Sequence, residues 1–364
     1  MDFTALNRKM GQPDLAAITA AQAQWDNLAK PLGSLGLLEA AIVKIAGLRQ
    51  DKNVRLDRRC LLVFCADNGV VSENVTQAGS EITLLVAENI ARGCSSVSRM
   101  AQLTRTDLLT VDMGMACLPH TPGLLDCRIA AGTANIAQGP AMSRVEALQA
   151  IQTGIDLAFS CREQGYDILA TGEMGIGNTT TSSAIAATLL GKSVDEVTGR
   201  GAGLTDEGLT RKIAVIERAL AVNRPDANDA IDVLAKLGGF DIAAMTGLYL
   251  GGALCRLPVL LDGVISATAA LVACRLCPAA LVAMLASHVS AEPAARLLLG
   301  ALGLRPLITA ELRLGEGTGA VAALPLLDLA LAVYHEAATF NDTGMDNYTP
   351  QDGYTAQDAE EEIC

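Results

Sequence analysis

The spacing of hydrophobic positions changes abruptly about sixty residues into the chain. Residues 14–28 have helical periodicity, the segment from Lys30 to Ser34 interrupts it with a proline and a glycine, and residues 37–48 resume it. Beyond residue 60, short apolar runs rich in β-formers alternate with helical stretches. The pattern predicts two N-terminal helices followed by an α/β region.

Four of the apolar runs end in an acid or a glycine, as expected of buried strands that lead into turns. Apolar strands that alternate with helices favour a parallel sheet covered by helices on both faces, where ligands bind beyond the carboxyl ends of the strands. The acids Asp67, Asp112, Glu173 and Asp262 all follow or end a predicted strand, so we expect a pocket at that edge. The predicted strands are residues 61–65, 108–111, 168–170 and 259–261.

Composition excludes several classes of function. Hydrophobic residues make up 51% of the chain and charged residues 18%, which allows a large core, while the net charge of −13 opposes nucleic-acid binding. The most apolar segment, residues 257–288, is interrupted by Asp262 and Arg275, so we interpret it as a buried strand and core helices and expect no membrane association.

The ten cysteines and three histidines do not indicate a metal site. Cys274 and Cys277 form a CxxC motif without a second pair at zinc spacing, and the histidines are not at ligand spacings. We expect reduced thiols, a cytoplasmic protein and no cofactor.

The segment Thr171–Ala184 carries the clearest chemical signal. A predicted strand end is followed by glycines and a helix start rich in threonine and serine, an arrangement that exposes backbone N–H groups to a phosphate. It matches neither a Walker A loop nor GxGxxG. An ordinary strand-to-helix turn with threonine caps is the alternative.

Glu316 is a lone carboxylate between glycines in Arg313–Ala320. Glycines on both sides allow close approach of the backbone to a ligand, and an apolar pocket would raise the pKa of the carboxyl group toward the range of a general base. A glutamate in the first turn of a glycine-rich helix start is the alternative.

Two further segments offer groups for a phosphate or a ribose. The loop Thr198–Leu204 contains Gly201 and Gly203 and is followed by Lys212, which is a candidate cation but could also be a solvated helix residue. The segment Ser287–Pro293 contributes Ser290, whereas His288 by itself is typical of a core histidine.

Seven motifs in register resemble the nicotinate-nucleotide–dimethylbenzimidazole phosphoribosyltransferases of cobalamin assembly. They span residues 30–335 and begin with Lys30–Glu39, Ala66–Gly69 and Gly172–Thr180, continuing with Gly238–Gly247, Leu260–Gly263, Ser287–Pro293 and Arg313–Ala320. The resemblance implies a three-layer Rossmann-like domain at 60–312 and a small helical domain from 1–59 and 313–345. An acidic tail at 346–364 looks loosely ordered, and a homodimer is implied.

The resemblance also implies the reaction and its residues. Nicotinate mononucleotide would give its ribose phosphate to 5,6-dimethylbenzimidazole, yielding α-ribazole phosphate and nicotinate, with Glu316 as the base. Glu173 would stabilise the developing cation or hold ribose hydroxyls, and Lys212 would meet the phosphate. The other implied residues are Gly175, Ile176, Gly177, Asn178, Gly201, Gly203 and Ser290 for phosphate and ribose, and Met174, Leu314, Ala78 and Val86 for the base.

One departure from the family concerns the acceptor base. Many members have Ser-Pro where this chain has Ala78-Gly79 and a glutamine where Val86 stands, so an unmethylated benzimidazole, a purine or a phenol is also a possible acceptor. A binding protein for an azole without turnover is the main alternative function. An NAD- or SAM-dependent enzyme is disfavoured because GxGxxG is missing.

Overall fold

The computed structural model describes residues 1–346 and contains one six-stranded sheet. All adjacent strands are parallel, in the order β3-β2-β1-β4-β5-β6. This is the strand order of the doubly wound nucleotide-binding folds, in which the connections reverse direction between β1 and β4. The strands are β1 Arg59–Ala66, β2 Thr106–Gly114, β3 Leu124–Asp126, β4 Ile168–Met174, β5 Val259–Leu261 and β6 Met284–Ala286.

Helices cover both faces of the sheet, so the predicted α/β class is confirmed. The helices are α1 Phe3–Met10, α2 Leu15–Asp26, α3 Leu37–Arg49, α4 Glu81–Ala91, α5 Ser96–Leu103, α6 Arg144–Glu163, α7 Asn178–Leu190, α8 Val194–Val197, α9 Asp206–Asn223, α10 Ala230–Leu237, α11 Phe240–Cys255, α12 Val264–Leu276, α13 Ala294–Leu302, α14 Thr318–Glu336 and α15 Phe340–Thr343. Short 3₁₀ helices span Gly69–Glu73 and Pro278–Ala283.

The four predicted strands are present, and two short strands and one helix were missed. β3 has no β-branched residue and its side chains are mostly exposed, so it lacks a strand pattern. β6 lies in the apolar segment that we interpreted as strand and core helices, and it is a strand because Met284–Ala286 pairs with β5. α1 begins where the Asp2 carboxylate accepts the N–H of Ala5 at 3.0 Å.

Backbone packing divides the chain into two compact units. The larger comprises 1–12 and 56–323, and the smaller comprises 13–55 and the described residues from 324 onward. This division places 1–12 and 313–323 in the larger unit, whereas the sequence analysis assigned them to the helical domain. In the larger unit, Asn7 accepts the N–H of Ala279 at 2.9 Å, which fixes α1. The predicted acidic tail, apart from Asp346, lies outside the described residues.

The smaller unit is held together by aromatic packing and backbone contacts. The rings of Trp25 and Tyr334 lie 4.9 Å apart, and the Gln24 side chain donates to Tyr334 O at 2.9 Å. The Tyr334 hydroxyl in turn donates to Lys52 O at 2.9 Å. The end of α14 therefore packs on α2 and on the segment after α3.

The helix α14 is long and apolar enough to cross a membrane by composition alone. Half of its most apolar window is buried inside the protein, as in a core helix, and Pro325 lies within it.

Glycines allow α6 and α11 to pack at close range in the core of the larger unit. A Cβ on Gly247 would collide with the carbonyl oxygen of Ile151, and one on Gly251 would lie 2.6 Å from the Ala158 side chain. Since α11 also packs on β1, β2, β4 and β5, this contact sets where the start of α11 meets the sheet edge.

We therefore expect Gly247→Ala to lower the free energy of unfolding in urea by about 3 kcal/mol, because the added methyl group meets backbone that cannot move. Gly300→Ala is the matched control, since a Cβ there meets nothing within 4 Å in α13. That variant should gain about 0.5–1 kcal/mol, as alanine does in helices. Equal stability of both variants would contradict the packing described here.

Candidate active site

A cavity of about 290 Å³ opens at the carboxyl edge of the sheet, near the reversal point between β1 and β4. Loops from six parts of the larger unit form its wall, and all of them follow strands or begin helices. The lining residues come from 75–78, 173–179, 200–202 and 204, 262–266, 288, 290 and 292, and 313–316. Among the four acids predicted at this edge, Glu173 and Asp262 line the cavity.

Asp67 and Asp112 do not line the cavity and have structural partners instead. Asp112 accepts the N–H groups of Gly114 and Met115 and pairs with Arg128 at 2.9 Å. Asp67 accepts the N–H of Ala116 at 2.7 Å. Both acids lie at the carboxyl edge, as predicted, but their carboxylates serve as acceptors for backbone N–H groups of the loops there rather than as cavity lining.

The loop Gly175–Asn178 forms one wall and leads into α7. Gly177 has φ of 93°, which suits glycine, and the N–H groups of Gly177 and Thr179 have no partner among residues 1–346. The N–H of Ile176 donates to Thr83 Oγ1 at 3.1 Å, and that of Asn178 to Gly175 O at 3.0 Å. The loop thus offers an anion fewer free donors than its sequence indicated, together with the positive end of α7.

Glu316 also lines the cavity, and its backbone is strained. Its φ is 62°, and its neighbours Gly315 and Gly317 have φ of 85° and 91°. A non-glycine residue in this region costs free energy and points to a functional constraint. The segment also needs Gly172 of β4, because a Cβ there would lie 2.5 Å from Glu316 O.

The carboxylate of Asp262 holds this strained segment in place. Its oxygens accept the N–H groups of Gly317 at 3.1 Å, Gly319 at 2.8 Å and Ala320 at 3.1 Å, where α14 begins. Burial raises the pKa of Asp262 and lowers that of His288, whose ring lies against Gly319.

The Glu316 carboxyl group is half-buried, and its Oε2 atom is buried without a hydrogen-bond partner among residues 1–346. Burial raises the pKa of this carboxyl group, and the N–H of Val97 at the start of α5 acts in the opposite direction. A partly desolvated carboxylate with an unused oxygen is suited to accept a proton from a bound molecule.

Lys212 lies behind the wall rather than in it. It is fully buried, and its Nζ donates to Thr179 Oγ1 at 2.9 Å and to Gly199 O at 3.1 Å. Burial lowers its pKa to about 8, and the charge of Glu292 opposes that shift. Lys212 therefore contacts the cavity wall through Thr179, which lines the cavity.

Most of the predicted site residues come together, and three do not. Glu316, Glu173, Gly201, Ser290, Met174, Leu314, Ala78 and the loop Gly175–Asn178 line the cavity. Lys212, Gly203 and Val86 are absent from the lining. Gly203 is exposed and accepts a hydrogen bond from Gln77, and Val86 is half-buried on α4.

Sequence reasoning missed several contributors to the site. His288 and Glu292 line the cavity, and Glu292 Oε1 accepts the N–H of Gly201 at 3.0 Å. Both lie in Ser287–Pro293, which the sequence singled out for its hydroxyl groups. Asp241 and Thr83 are buried behind the wall, and neither had a local signal beyond a motif of the family resemblance or a helix pattern.

No group of three or more His, Cys, Asp or Glu side chains within the described part of the chain is arranged to hold a metal ion. Within the same residues, Cys277 donates to Phe3 O and Cys274 contacts Met284 Sδ, so the CxxC thiols have structural neighbours.

Comparisons with known proteins agree with this architecture. A family model described as "Phosphoribosyltransferase" matches residues 10–345. A nicotinate-nucleotide–dimethylbenzimidazole phosphoribosyltransferase from Ruminiclostridium cellulolyticum is 44% identical over 95% of this chain and 98% of its own length. One of the same name from Desulforudis audaxviator is 47% identical over 93% and 96%. The crystal structure of CobT from Thermus thermophilus has a TM-score of 0.87 at 39% identity, covering 92% of this chain and all of that chain.

We predict that Asp262→Ala lowers the free energy of unfolding in urea by about 3 kcal/mol, because three backbone N–H groups lose their acceptor. Hydrogen exchange at the amides of Gly319 and Ala320 should accelerate. The exposed Asp57, changed to alanine, is the control and should leave both quantities unchanged. Unaltered exchange at these amides in Asp262→Ala would show that other contacts hold the segment.

Proposed function

Since the chain belongs to the nicotinate-nucleotide–dimethylbenzimidazole phosphoribosyltransferase family, we propose that Glu316 is the general base of this transfer. The reaction moves ribose phosphate from nicotinate mononucleotide to an aromatic azole. The observation that carries the assignment is the buried Oε2 of Glu316, which has no hydrogen-bond partner among residues 1–346 and belongs to a segment that Asp262 holds at the cavity of the Gly175–Asn178 loop. A protein that only bound an azole would need no such carboxylate.

The chemistry requires one base and no acid. In the donor, the pyridinium nitrogen carries a positive charge while it is bonded to the ribose. When the bond from the anomeric carbon to this nitrogen breaks, the electron pair neutralises the ring, so nicotinate leaves without a proton. One nitrogen of the azole ring attacks the anomeric carbon, and the other carries an N–H proton. The attacking nitrogen becomes a good nucleophile only as that proton is removed, and Glu316 takes it.

The loop Gly175–Asn178 and the start of α7 orient the donor. The free N–H groups of Gly177 and Thr179 and the start of α7 suit the phosphate, and Ser290 lies on the same cavity. Lys212 contributes its charge through Thr179 and the Gly199 carbonyl. With the phosphate held there, the anomeric carbon faces Glu316, and attack from the opposite side of the departing ring inverts its configuration.

The acceptor preference depends on Ala78 more than on Val86. Ala78 lines the cavity, while Val86 on α4 does not. We propose 5,6-dimethylbenzimidazole as the acceptor, with the apolar Met174, Leu314 and Ala78 forming the surface for its methylated ring.

We also propose a homodimeric, cytoplasmic protein, as the family resemblance implies. The nine cysteines among residues 1–346 are free thiols, which agrees with a reducing compartment. Leu103 and Leu118 are large apolar side chains exposed on the larger unit, where a second copy could cover them.

Glu316→Gln should lower the single-turnover rate of transfer by about 10²- to 10⁴-fold, because the amide cannot take the azole proton. Affinity for nicotinate mononucleotide should change little, since Glu316 faces the acceptor. Glu217→Gln, the same substitution on the exposed face of α9, is the control and should keep full activity. A loss below about tenfold in Glu316→Gln would show that another group removes the proton.

Ala78→Ser should shift acceptor selectivity, because a hydroxyl group then enters the cavity wall. The kcat/KM ratio of 5-hydroxybenzimidazole to 5,6-dimethylbenzimidazole should rise about fivefold, the effect of one neutral hydrogen bond. Val86→Gln should leave the ratio unchanged, and neither substitution should alter the KM of the donor. A larger effect of Val86→Gln than of Ala78→Ser would contradict the placement of the acceptor.

A further inference from the structure

Glu173 and Asp241 are two buried carboxyl groups joined by one side-chain amide. Asn178 Nδ2 donates to Asp241 Oδ2 at 2.9 Å and also to Glu173 Oε2. Glu173 is 7% exposed and Asp241 is fully buried. Two carboxylates that share a single donor nitrogen lie too close for both to ionise readily.

The groups around this pair supply no compensating cation. The titratable groups that act on the pair are Asp262 after β5, Asp67 after β1 and the Cys65 thiol of β1, and none of them is a cation. The Glu316 backbone N–H donates to Glu173, but its side chain is another acid. No ion pair among residues 1–346 includes Glu173 or Asp241.

The remaining helices packed on β4 direct their charged side chains elsewhere. From α4, the buried Thr83 faces this edge, while Glu88 pairs with Arg92. From α12, Ser266 faces it, while Arg275 donates to Leu189 O. The nearest lysine behind the cavity wall, Lys212, is bonded to Thr179 and Gly199.

The negative charge of the pair is better stabilised on Asp241. This residue lies in the first turn of the 16-residue helix α11, and its Oδ1 accepts the N–H of Ile242 at 2.9 Å. Burial raises the pKa of Asp241 to about 6 and that of Glu173 to about 8, and the charge of Asp241 adds to the second shift. The helix start and the N–H of Ile242 thus favour the negative charge on Asp241 and the proton on Glu173.

We propose that Glu173 acts in the reaction as a neutral carboxylic acid that donates a hydrogen bond to an oxygen of the ribose phosphate, and that Asp241 is the positioning residue that keeps the proton there. This inference rests on the proposed function of the cavity. Glu173 accepts hydrogen bonds from the side-chain amide of Asn178 and from the backbone N–H of Glu316. When Glu173 is protonated, its O–H is then available to the cavity that it lines.

This protonation state serves two needs of the site. The donor brings a phosphate dianion into a cavity already lined by Asp262, Glu292 and Glu316. A neutral Glu173 removes one repulsion and adds one donor. It also selects between the two roles expected from the sequence, because a neutral acid can hold a ribose oxygen but cannot stabilise a cation by charge.

Glu173→Gln is the direct test, because glutamine has the shape of the protonated acid and keeps a donor. The ratio of kcat/KM of Glu173→Gln to that of the wild type should be lowest near pH 6.5 and rise about tenfold by pH 9. Wild-type Glu173 loses its proton as the pH rises through about 8, whereas glutamine does not titrate. Lys212 titrates in the same range in both proteins and cancels in this ratio.

Asp241→Asn tests the positioning role. Because the neighbouring charge is removed, Glu173 should ionise more easily. The alkaline decline of kcat/KM should therefore move to lower pH. The double variant with Glu173→Gln should show no such shift. The infrared difference spectrum of the wild type minus Glu173→Gln at pH 7 should contain the carbonyl stretch of one neutral carboxylic acid. This measurement does not depend on the folding of Asp241→Asn.

A flat ratio across this pH range, or one that falls as the pH rises, would overturn the proposal. Its failure is distinguishable from failure of the general-base assignment, because Glu316→Gln and Glu173→Gln are the same substitution on the same cavity with opposite expectations. Activity retained in Glu316→Gln would remove the proposed base, and a pH-independent loss in Glu173→Gln would remove only the neutral acid.

Discussion

The contact between the Asp262 carboxylate and the backbone at the start of α14 determines the geometry of the whole site. Asp262, which follows β5, accepts the N–H groups of Gly317, Gly319 and Ala320. These bonds hold Glu316 at the sheet edge with a positive φ. The strain is tolerated because the segment also packs against Gly172 of β4. A side chain at position 172 would collide with the backbone of Glu316. The proposed general base is thereby anchored to the sheet through β4 and Asp262.

The acids that line the cavity repel an anionic substrate, so its phosphate needs compensating groups nearby. With a net charge of −13, the protein as a whole does not attract the donor, so recognition depends on local groups. Free N–H groups at the start of α7, a lysine behind Thr179 and the proposed neutral state of Glu173 all act in the same direction. Burial raises the pKa of both carboxyl groups. For Glu173 this favours the proposed neutral form, which does not repel a phosphate, and for Glu316 it increases the basicity of the carboxylate.

Much of the fold could be predicted from the sequence, since β1, β2, β4 and β5 are apolar runs between turn signals. β3 and β6 could not, because three-residue strands are defined by their neighbours rather than by their own pattern. The family was identified correctly from motifs in register. The glycines around Glu316 allow a close backbone approach, which in the structure is an approach to Gly172 of β4. The layer behind the cavity was not accessible to the same reasoning, because Asp241 and Lys212 acquire their roles from burial and from partners on other elements. Likewise, Asp67 and Asp112 have partners that are distant in the sequence, the N–H of Ala116 and the side chain of Arg128, which no local pattern encodes.

The most direct test of the account is a crystal structure of the protein with α-ribazole phosphate bound. We expect a Glu316 carboxylate oxygen at a hydrogen-bond distance of about 2.6–3.2 Å from the free nitrogen of the azole ring. We expect the phosphate to accept the N–H groups of Gly177 and Thr179. A product whose azole ring lies beyond reach of Glu316, or whose phosphate binds away from the start of α7, would contradict it.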